Sequence, residues 1–145
     1  MRRLLWVTLL LAGCASEGPV DPANVSMEKL IQLHNERRAS GALGQKPLRT
    51  DDKLMAYAQE HAEWMAKSNR MRHSSMGKVM KLGFSRAGEN IAWGQKTEES
   101  VMSAWMWSPG HRSNIMGTSY DSIGAGAASR NGRIYWCVCF GRARE

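Results

Sequence analysis

The C-terminal third of the chain contains two strand-like segments around a tight-turn signal, and this pattern limits the possible folds more than any other feature. Residues 123–128 and 134–140 are rich in small, β-branched and aromatic side chains, as is typical of strands. Between them, Asn131-Gly132 is a strong signal for a two-residue hairpin turn. Because the preceding segments have helical periodicity, we predict an α+β fold in which helices flank a small antiparallel sheet.

Helices are predicted in the first two thirds of the chain from apolar periodicity and capping residues. The expected N-caps of the three longer helices are Ser26, Asp51 or Asp52, and Thr97. Ser108-Pro109 closes the third helix and starts a short helical turn that runs to residue 116. Residues 69–88 lack clear periodicity and are predicted to be irregular, with a further strand at residues 90–93.

The four histidines fall into two groups by their surroundings. His34 and His61 lie on the apolar stripes of the first two helices, where we predict hydrogen-bonded core residues and not ligands. His73 lies in the irregular segment, and His111 lies at the start of the short helical turn. If these two imidazoles converge with the carboxylate of Glu89 in a cleft, they can bind a divalent cation or transfer protons near neutral pH.

The N-terminus has the pattern of a bacterial lipoprotein signal. Residues 1–13 have a basic start and a short apolar stretch, well below the ~20 apolar residues that span a bilayer. The stretch ends in Leu11-Ala12-Gly13-Cys14, which resembles the lipobox in which the cysteine becomes a lipidated N-terminus. An ordinary signal peptide, cut after a small residue, is the alternative. Residues 14–25 are then the lipidated end and a flexible tether.

The N-terminal segment and the overall charge predict the location of the protein and its binding partners. Ala15 stands where an aspartate would favour retention at the inner membrane, so we expect a protein anchored by lipid to the bacterial outer membrane, facing the periplasm. The net charge of +7 suits anionic lipid head groups or cell-wall polymers. The sequence has no basic helix and no interleaving of basic and aromatic residues, so nucleic acid is not an expected partner.

Cys137 and Cys139 are predicted to be reduced thiols inside the last strand. Strand alternation places both sulfur atoms on one face, ~6.5 Å apart along the strand, which is too far for good disulfide geometry. Trp136, Val138 and Phe140 then lie on the opposite face, so this strand is expected to be buried on both sides. A redox pair is the alternative, and it requires an exposed thiol of low pKa.

Six short motifs occur in a fixed order between residues 27 and 141. They are His34-Asn35-Glu36-Arg37-Arg38, Leu54 with Ala58-Gln59 and His61-Ala62, His73-Ser74, Gly88-Glu89-Asn90-Ile91, Trp105 with Ser108-Pro109-Gly110-His111-Arg112 and Asn114-Ile115, and Tyr135-Trp136 with Phe140-Gly141. In this order they resemble the CAP superfamily of cysteine-rich secretory, antigen 5 and pathogenesis-related proteins. The most similar branch is the bacterial SCP-domain group, which lacks disulfides. The resemblance implies one SCP domain over residues 26–145.

The resemblance also implies a fold and a site. The family fold is a three-layer α-β-α sandwich with a small antiparallel sheet and a large cleft lined by two histidines and two acidic residues. Here the matching cleft residues are His73, Glu89 and His111, and the fourth position falls at Ser108, where eukaryotic members have a glutamate. His73 and His111 are the implied metal ligands, for a divalent cation such as zinc. With a single carboxylate, Glu89, the cleft cannot supply both a general acid and a general base of that type.

Two of these residues have competing interpretations. Glu89 can orient an imidazole, or it can accept hydrogen bonds from backbone amides before a strand. Ser108, with His111 and Glu89, has the composition of a catalytic triad. However, Ser108 precedes a proline at a helix start, where we expect its hydroxyl to cap backbone N–H groups.

Three functions are compatible with the sequence. The first is a binding module of the envelope, in which the cleft holds a cation and presents it to a lipid, sterol or cell-wall ligand. The second is a metal-assisted, protease-like hydrolase with Glu89 as the base, although neither H-E-x-x-H nor G-x-S-x-G occurs in the chain. The third is a structural envelope protein with a vestigial cleft. We expect the binding module.

Overall fold

A computed structural model describes residues 24–144 of the chain. The predicted signal, the lipidation site Cys14 and most of the tether therefore lie outside the described residues. Within residues 24–144, none of the helices has the length and apolar character that crossing a membrane requires.

The described part of the chain folds into five helices and four strands. In chain order they are α1 (Met27–Ser40), β1 (Arg49–Thr50), α2 (Asp52–Ser68), α3 (Met76–Lys81), β2 (Phe84–Trp93), α4 (Glu98–Trp107), α5 (Pro109–Met116), β3 (Ser122–Arg130) and β4 (Arg133–Ala143). The predicted α+β class is confirmed.

The helix starts follow from side-chain caps. Ser26 accepts a hydrogen bond from the amide of Lys29, and Asp51 accepts from the amides of Lys53 and Leu54. Thr97 forms a reciprocal capping box with Ser100. These three predicted caps are confirmed.

The β-sheet has the order β1-β3-β4-β2. The three long strands are antiparallel, as predicted, and the hairpin between β3 and β4 turns at Asn131 and Gly132, whose φ angles are 50° and 72°. Positive φ at both positions is what a tight hairpin of this type requires. The two-residue β1 adds to β3 in a parallel direction, so the complete sheet is mixed.

The sheet is covered by helices on both faces, which gives three layers. On one face, α2 and α3 pack on Tyr135, Cys137 and Cys139 of β4. On the other face, α1, α4 and α5 pack on the alternate residues of β4, including Trp136, Val138 and Phe140. All six of these β4 side chains are fully buried. The prediction that the last strand is buried on both sides is confirmed.

Helix α2 lies unusually close to β3 because β3 presents glycines to it. A Cβ atom on Gly126 would lie 2.3 Å from the backbone nitrogen of Gln59, and one on Gly124 would lie 2.1 Å from the carbonyl carbon of Leu54. The side chain of Gln59 also donates to the carbonyl of Ala127 and accepts from its amide, each at 3.1 Å. Helix α2 is therefore held against β3 by direct backbone contact and by the two hydrogen bonds between Gln59 and Ala127.

Three local predictions were wrong or incomplete. Residues 69–88 are not irregular throughout, because they contain α3 and the first half of β2. The strand β1 was not predicted, since two residues leave no alternation to detect. Ser108 does separate α4 from α5, but its side chain makes no capping hydrogen bond, which corrects the expectation for its hydroxyl.

The two helix histidines differ from each other. His34 is fully buried, and its Nδ1–H donates to the Leu30 carbonyl at 2.8 Å, so the predicted core role is confirmed. His61 is only half-buried and stacks on Trp64, with ring centroids 5.6 Å apart. Its prediction as a core residue is wrong, because α2 is uncovered at this point and His61 faces a surface cavity.

Candidate functional site

Glu89 is a buried carboxylate that accepts hydrogen bonds from residues of the loop between α2 and α3. It lies on β2, and 6% of the residue is exposed. Its Oε1 accepts from His73 Nδ1 at 2.8 Å and from the Ser74 amide at 3.0 Å, and its Oε2 accepts from the Ser74 hydroxyl. Among residues 24–144, His73 is the only basic side chain that pairs with Glu89. These bonds fix the loop between α2 and α3 on the sheet.

His73 stands at the surface above this carboxylate. Its side chain is 61% exposed. When Nδ1–H donates to Glu89, the neutral imidazole keeps its lone pair on Nε2, which is the form that coordinates a metal. The loop around His73 is held further by His61, whose Nε2–H donates to the Arg72 carbonyl at 2.7 Å, and by Tyr57, whose hydroxyl donates to the Ser75 carbonyl at 3.2 Å.

His111 is positioned by asparagines at the start of α5. The side chain of Asn90, on β2, donates to the carbonyl of His111 at 3.1 Å, and Asn114 donates to Asn90 Oδ1 at 2.9 Å. Partial burial, with the charge of His73 as a second cause, lowers the pKa of His111. Both causes favour the neutral form of His111.

Ser108 is placed differently from a nucleophile. It is half-buried between α4 and α5, and within residues 24–144 no hydrogen bond joins its hydroxyl to His111. Of the predicted site residues, the structure thus brings His73 and Glu89 into contact, and it places His111 separately at the start of α5. It leaves Ser108 without a link to either histidine.

A cavity of about 290 Å³ opens beside His73, between α2 and the loop that follows it. Its lining includes Tyr57, His61, Trp64, Arg72 and Lys78 as well as His73. Trp64 is 42% exposed. Sequence reasoning missed these lining residues, although a tryptophan on the polar side of an amphipathic helix is a signal that could have found them.

The two thiols lie below Glu89, on the same side of the sheet. Cys137 and Cys139 are free and fully buried, in agreement with the sequence prediction. Their sulfur atoms are 3.8 Å apart, closer than the ~6.5 Å expected from strand spacing alone. The hydrogen bond with Cys139, together with burial, raises the pKa of Cys137 well above its ordinary value. A reactive thiol at this position is therefore not favoured.

The fold is that of a small α-β-α sandwich protein, in which His73 donates to the buried Glu89 on the edge strand β2 and His111 lies at the start of α5. A family model described as the cysteine-rich secretory protein family, CAP, matches residues 31–140. The chain belongs to this family.

Individual relatives are consistent with this assignment. The chain is 38% identical over 115 residues to the uncharacterized protein YkwD of Bacillus subtilis strain 168, a match that covers 72% of this chain. An outer surface protein of Borrelia burgdorferi has a similar structure, with a TM-score of 0.73, 25% identity, and coverage of 81% of this chain and 92% of that one. The structure of NaASP2 with Zn²⁺ has a TM-score of 0.64 at 18% identity, covers 90% of this chain and 88% of that one, and shares the fold. The chain spans less than half the length of the curated relatives it matches, 44% and 46%.

Proposed function

We propose that this protein is a binding module of the bacterial envelope whose cleft holds a divalent cation, of the zinc class, between His73 and His111. The observation that carries the proposal is the hydrogen bond from His73 Nδ1 to the buried Glu89, at 2.8 Å, because it fixes the ring and frees Nε2. The lowered pKa of His111 supports it, since the neutral imidazole is the ligand form. NaASP2, which has the same fold, was crystallised with Zn²⁺.

Two protein ligands leave coordination positions open for an external group. We infer that an oxygen atom of a lipid, sterol or cell-wall component occupies such a position, with the neighbouring cavity receiving the rest of the molecule. Arg72 and Lys78 border that cavity together with a single carboxylate, Glu60, and this excess of positive charge favours an anionic ligand over a cationic one.

Glu89 serves in this proposal to orient His73, not to activate water. Its side chain is 2% exposed, and both of its oxygen atoms already accept hydrogen bonds. A general base must reach the proton it removes, which a carboxylate in this position does not do without releasing the loop. The binding function is therefore favoured over hydrolysis.

The cleft is tested by calorimetric titration of the protein with zinc. His73→Ala and His111→Ala are each expected to remove one equivalent of bound zinc, because two imidazoles act together. Because burial lowers the pKa of His111, binding to the wild-type cleft should persist somewhat below the ordinary histidine pKa of ~6.5 and weaken at lower pH, when His111 becomes protonated.

The matched control is His61→Gln, which removes a nearby imidazole but keeps a donor for the Arg72 carbonyl. It should bind zinc as the wild type does. Equal stoichiometry and affinity in the wild type and in the His73→Ala, His111→Ala double variant would contradict the cleft site.

We propose further that Cys14 is acylated and anchors the domain to the membrane. The apolar stretch before Cys14 and the lipobox-like sequence support this, and residues 15–25, which include Gly18, Pro19 and Pro22, suit a tether. Cell fractionation should find the wild-type protein with membranes, and Cys14→Ser should appear in the soluble fraction or as uncleaved precursor. A Cys14→Ser variant that remains processed and membrane-bound would rule out this anchor.

A further inference from the structure

The buried thiols and the buried carboxylate form a cluster that the cleft function does not use. Glu89 on β2 pairs directly with Cys139 on β4, so their side chains point to the same face of the sheet. Cys137, two residues away, points there as well, and its thiol donates to Glu89 Oε2 at 3.7 Å. One oxygen atom and two sulfur atoms thus lie within 4.8 Å of one another.

The spacing of these atoms is that of a tetrahedral metal site. With Zn–S bonds of ~2.3 Å, two sulfur ligands of a tetrahedron are ~3.8 Å apart, and a sulfur and an oxygen ligand are ~3.6 Å apart. The observed distances are 3.8 Å between the two sulfur atoms and 3.7 Å from Cys137 Sγ to Glu89 Oε2. Two of the edges of a coordination tetrahedron are therefore already formed.

We propose that Cys137, Cys139 and Glu89 together bind one thiophilic divalent cation of the zinc class inside the fold. This site is separate from the proposed cleft cation, and it does not depend on it. Thiolate sulfur selects such metals over magnesium or calcium, which prefer oxygen ligands. Three protein ligands leave a fourth position for water or another small ligand.

The surroundings of Glu89 suit a metal ligand. If Oε2 binds the cation, it must give up the hydrogen bond from the Ser74 hydroxyl, but Oε1 still accepts from His73 and from the Ser74 amide, which would hold the carboxylate in place.

The thiols must lose their protons when the metal binds, since the thiolate is the ligand. In the metal-free protein a hydrogen bond with Cys139 and burial raise the pKa of Cys137, which favours the protonated thiol of that residue. A sulfur–sulfur distance of 3.8 Å is also well outside the ~2.05 Å of a disulfide, so the pair is reduced and available.

The test uses the full chain with Cys14→Ser, which leaves Cys137 and Cys139 as its only cysteines. The protein is reduced, freed of metal with a chelator, and titrated with Co²⁺ as a spectroscopic substitute for zinc. We expect one equivalent to produce the near-ultraviolet charge-transfer band of thiolate-bound cobalt, and one equivalent of Zn²⁺ to displace it. Two thiols should react with a labelling reagent after denaturation in chelator.

Variants separate this site from the cleft. Cys139→Ser should lose the band, whereas His111→Ala should keep it at full intensity, because His111 contributes nothing to the thiol site. Loss of zinc from the cleft in His111→Ala, with the cobalt band intact, would show two independent sites.

The wild-type spectrum decides the proposal even where a variant fails to fold. Absence of the thiolate band in the Cys14→Ser protein at saturating Co²⁺ would overturn it. So would an unchanged band in a folded Cys137→Ser, Cys139→Ser double variant.

Discussion

Gly126→Ala is expected to destabilise the fold by about 3 kcal/mol or more, although it adds a single methyl group. That methyl would lie 2.3 Å from the backbone nitrogen and 2.4 Å from the Cα of Gln59, so α2 must move away from β3. The movement would stretch both hydrogen bonds between Gln59 and Ala127. Urea denaturation followed by circular dichroism measures the loss, which is a large part of the stability of a typical small domain, ~5–15 kcal/mol.

Gly77→Ala is the matched control for this prediction. Gly77 lies on the exposed surface of α3, and a Cβ there would meet only the Ser75 hydroxyl oxygen, at 3.6 Å. The same chemical change should be neutral or should stabilise by up to ~1 kcal/mol, because alanine is the better helix former. Equal effects of the two substitutions would show that α2 and β3 are not in close contact.

The fold is expected to lose about 2 to 3 kcal/mol of stability between pH 7 and pH 4.5 through His34 alone. Burial is the main cause that lowers the pKa of His34 to about 4, and the nearby charge of Arg38 adds to it. In the unfolded chain the imidazole has its ordinary pKa of ~6.5. Between these two values the unfolded state binds the extra proton, so stability is present above ~6.5 and is lost as the pH falls toward 4.

Urea denaturation at both pH values, in the wild type and in His34→Phe, measures this contribution. The phenyl ring can occupy the apolar site between Trp105 and Phe140, and it does not titrate. The variant should therefore show a smaller loss of stability at pH 4.5 than the wild type. The same pH dependence in His34→Phe and in the wild type would contradict the assignment.

The sequence predicted those parts of the fold whose signals are local. Asn131-Gly132 predicted the hairpin because few other dipeptides accept positive φ at both positions. Side-chain caps predicted the starts of α1, α2 and α4. The strand β1 could not be predicted, since its two residues are in a strand only because β3 passes beside them. The short α3 was missed for a related reason, because its six residues give little more than one helical turn of periodicity.

Candidate residues for the site could be selected from the sequence, but their contacts could not be predicted. A carboxylate and two histidines could be selected from the chain, whereas the hydrogen bond from His73 to Glu89 depends on how a loop folds back across the sheet. His61 shows the limit of helical periodicity. The pattern places it on the apolar side of α2, but whether another element covers that side is decided by tertiary packing, and here a cavity lies beside it. Strand alternation similarly placed both cysteines on one face, but it did not predict how closely their side chains approach.

The position of β4 has a consequence for how the chain folds as it is made. β4 lies between β3 and β2, and it supplies the central layer of the packing on both sides of the sheet. It also follows every other described element along the chain. While the ribosome is still synthesising this strand, β2 has no partner in the sheet, and neither group of helices has a complete surface to pack on. The nascent domain should therefore stay unfolded until its last strand emerges, and then fold in one cooperative step.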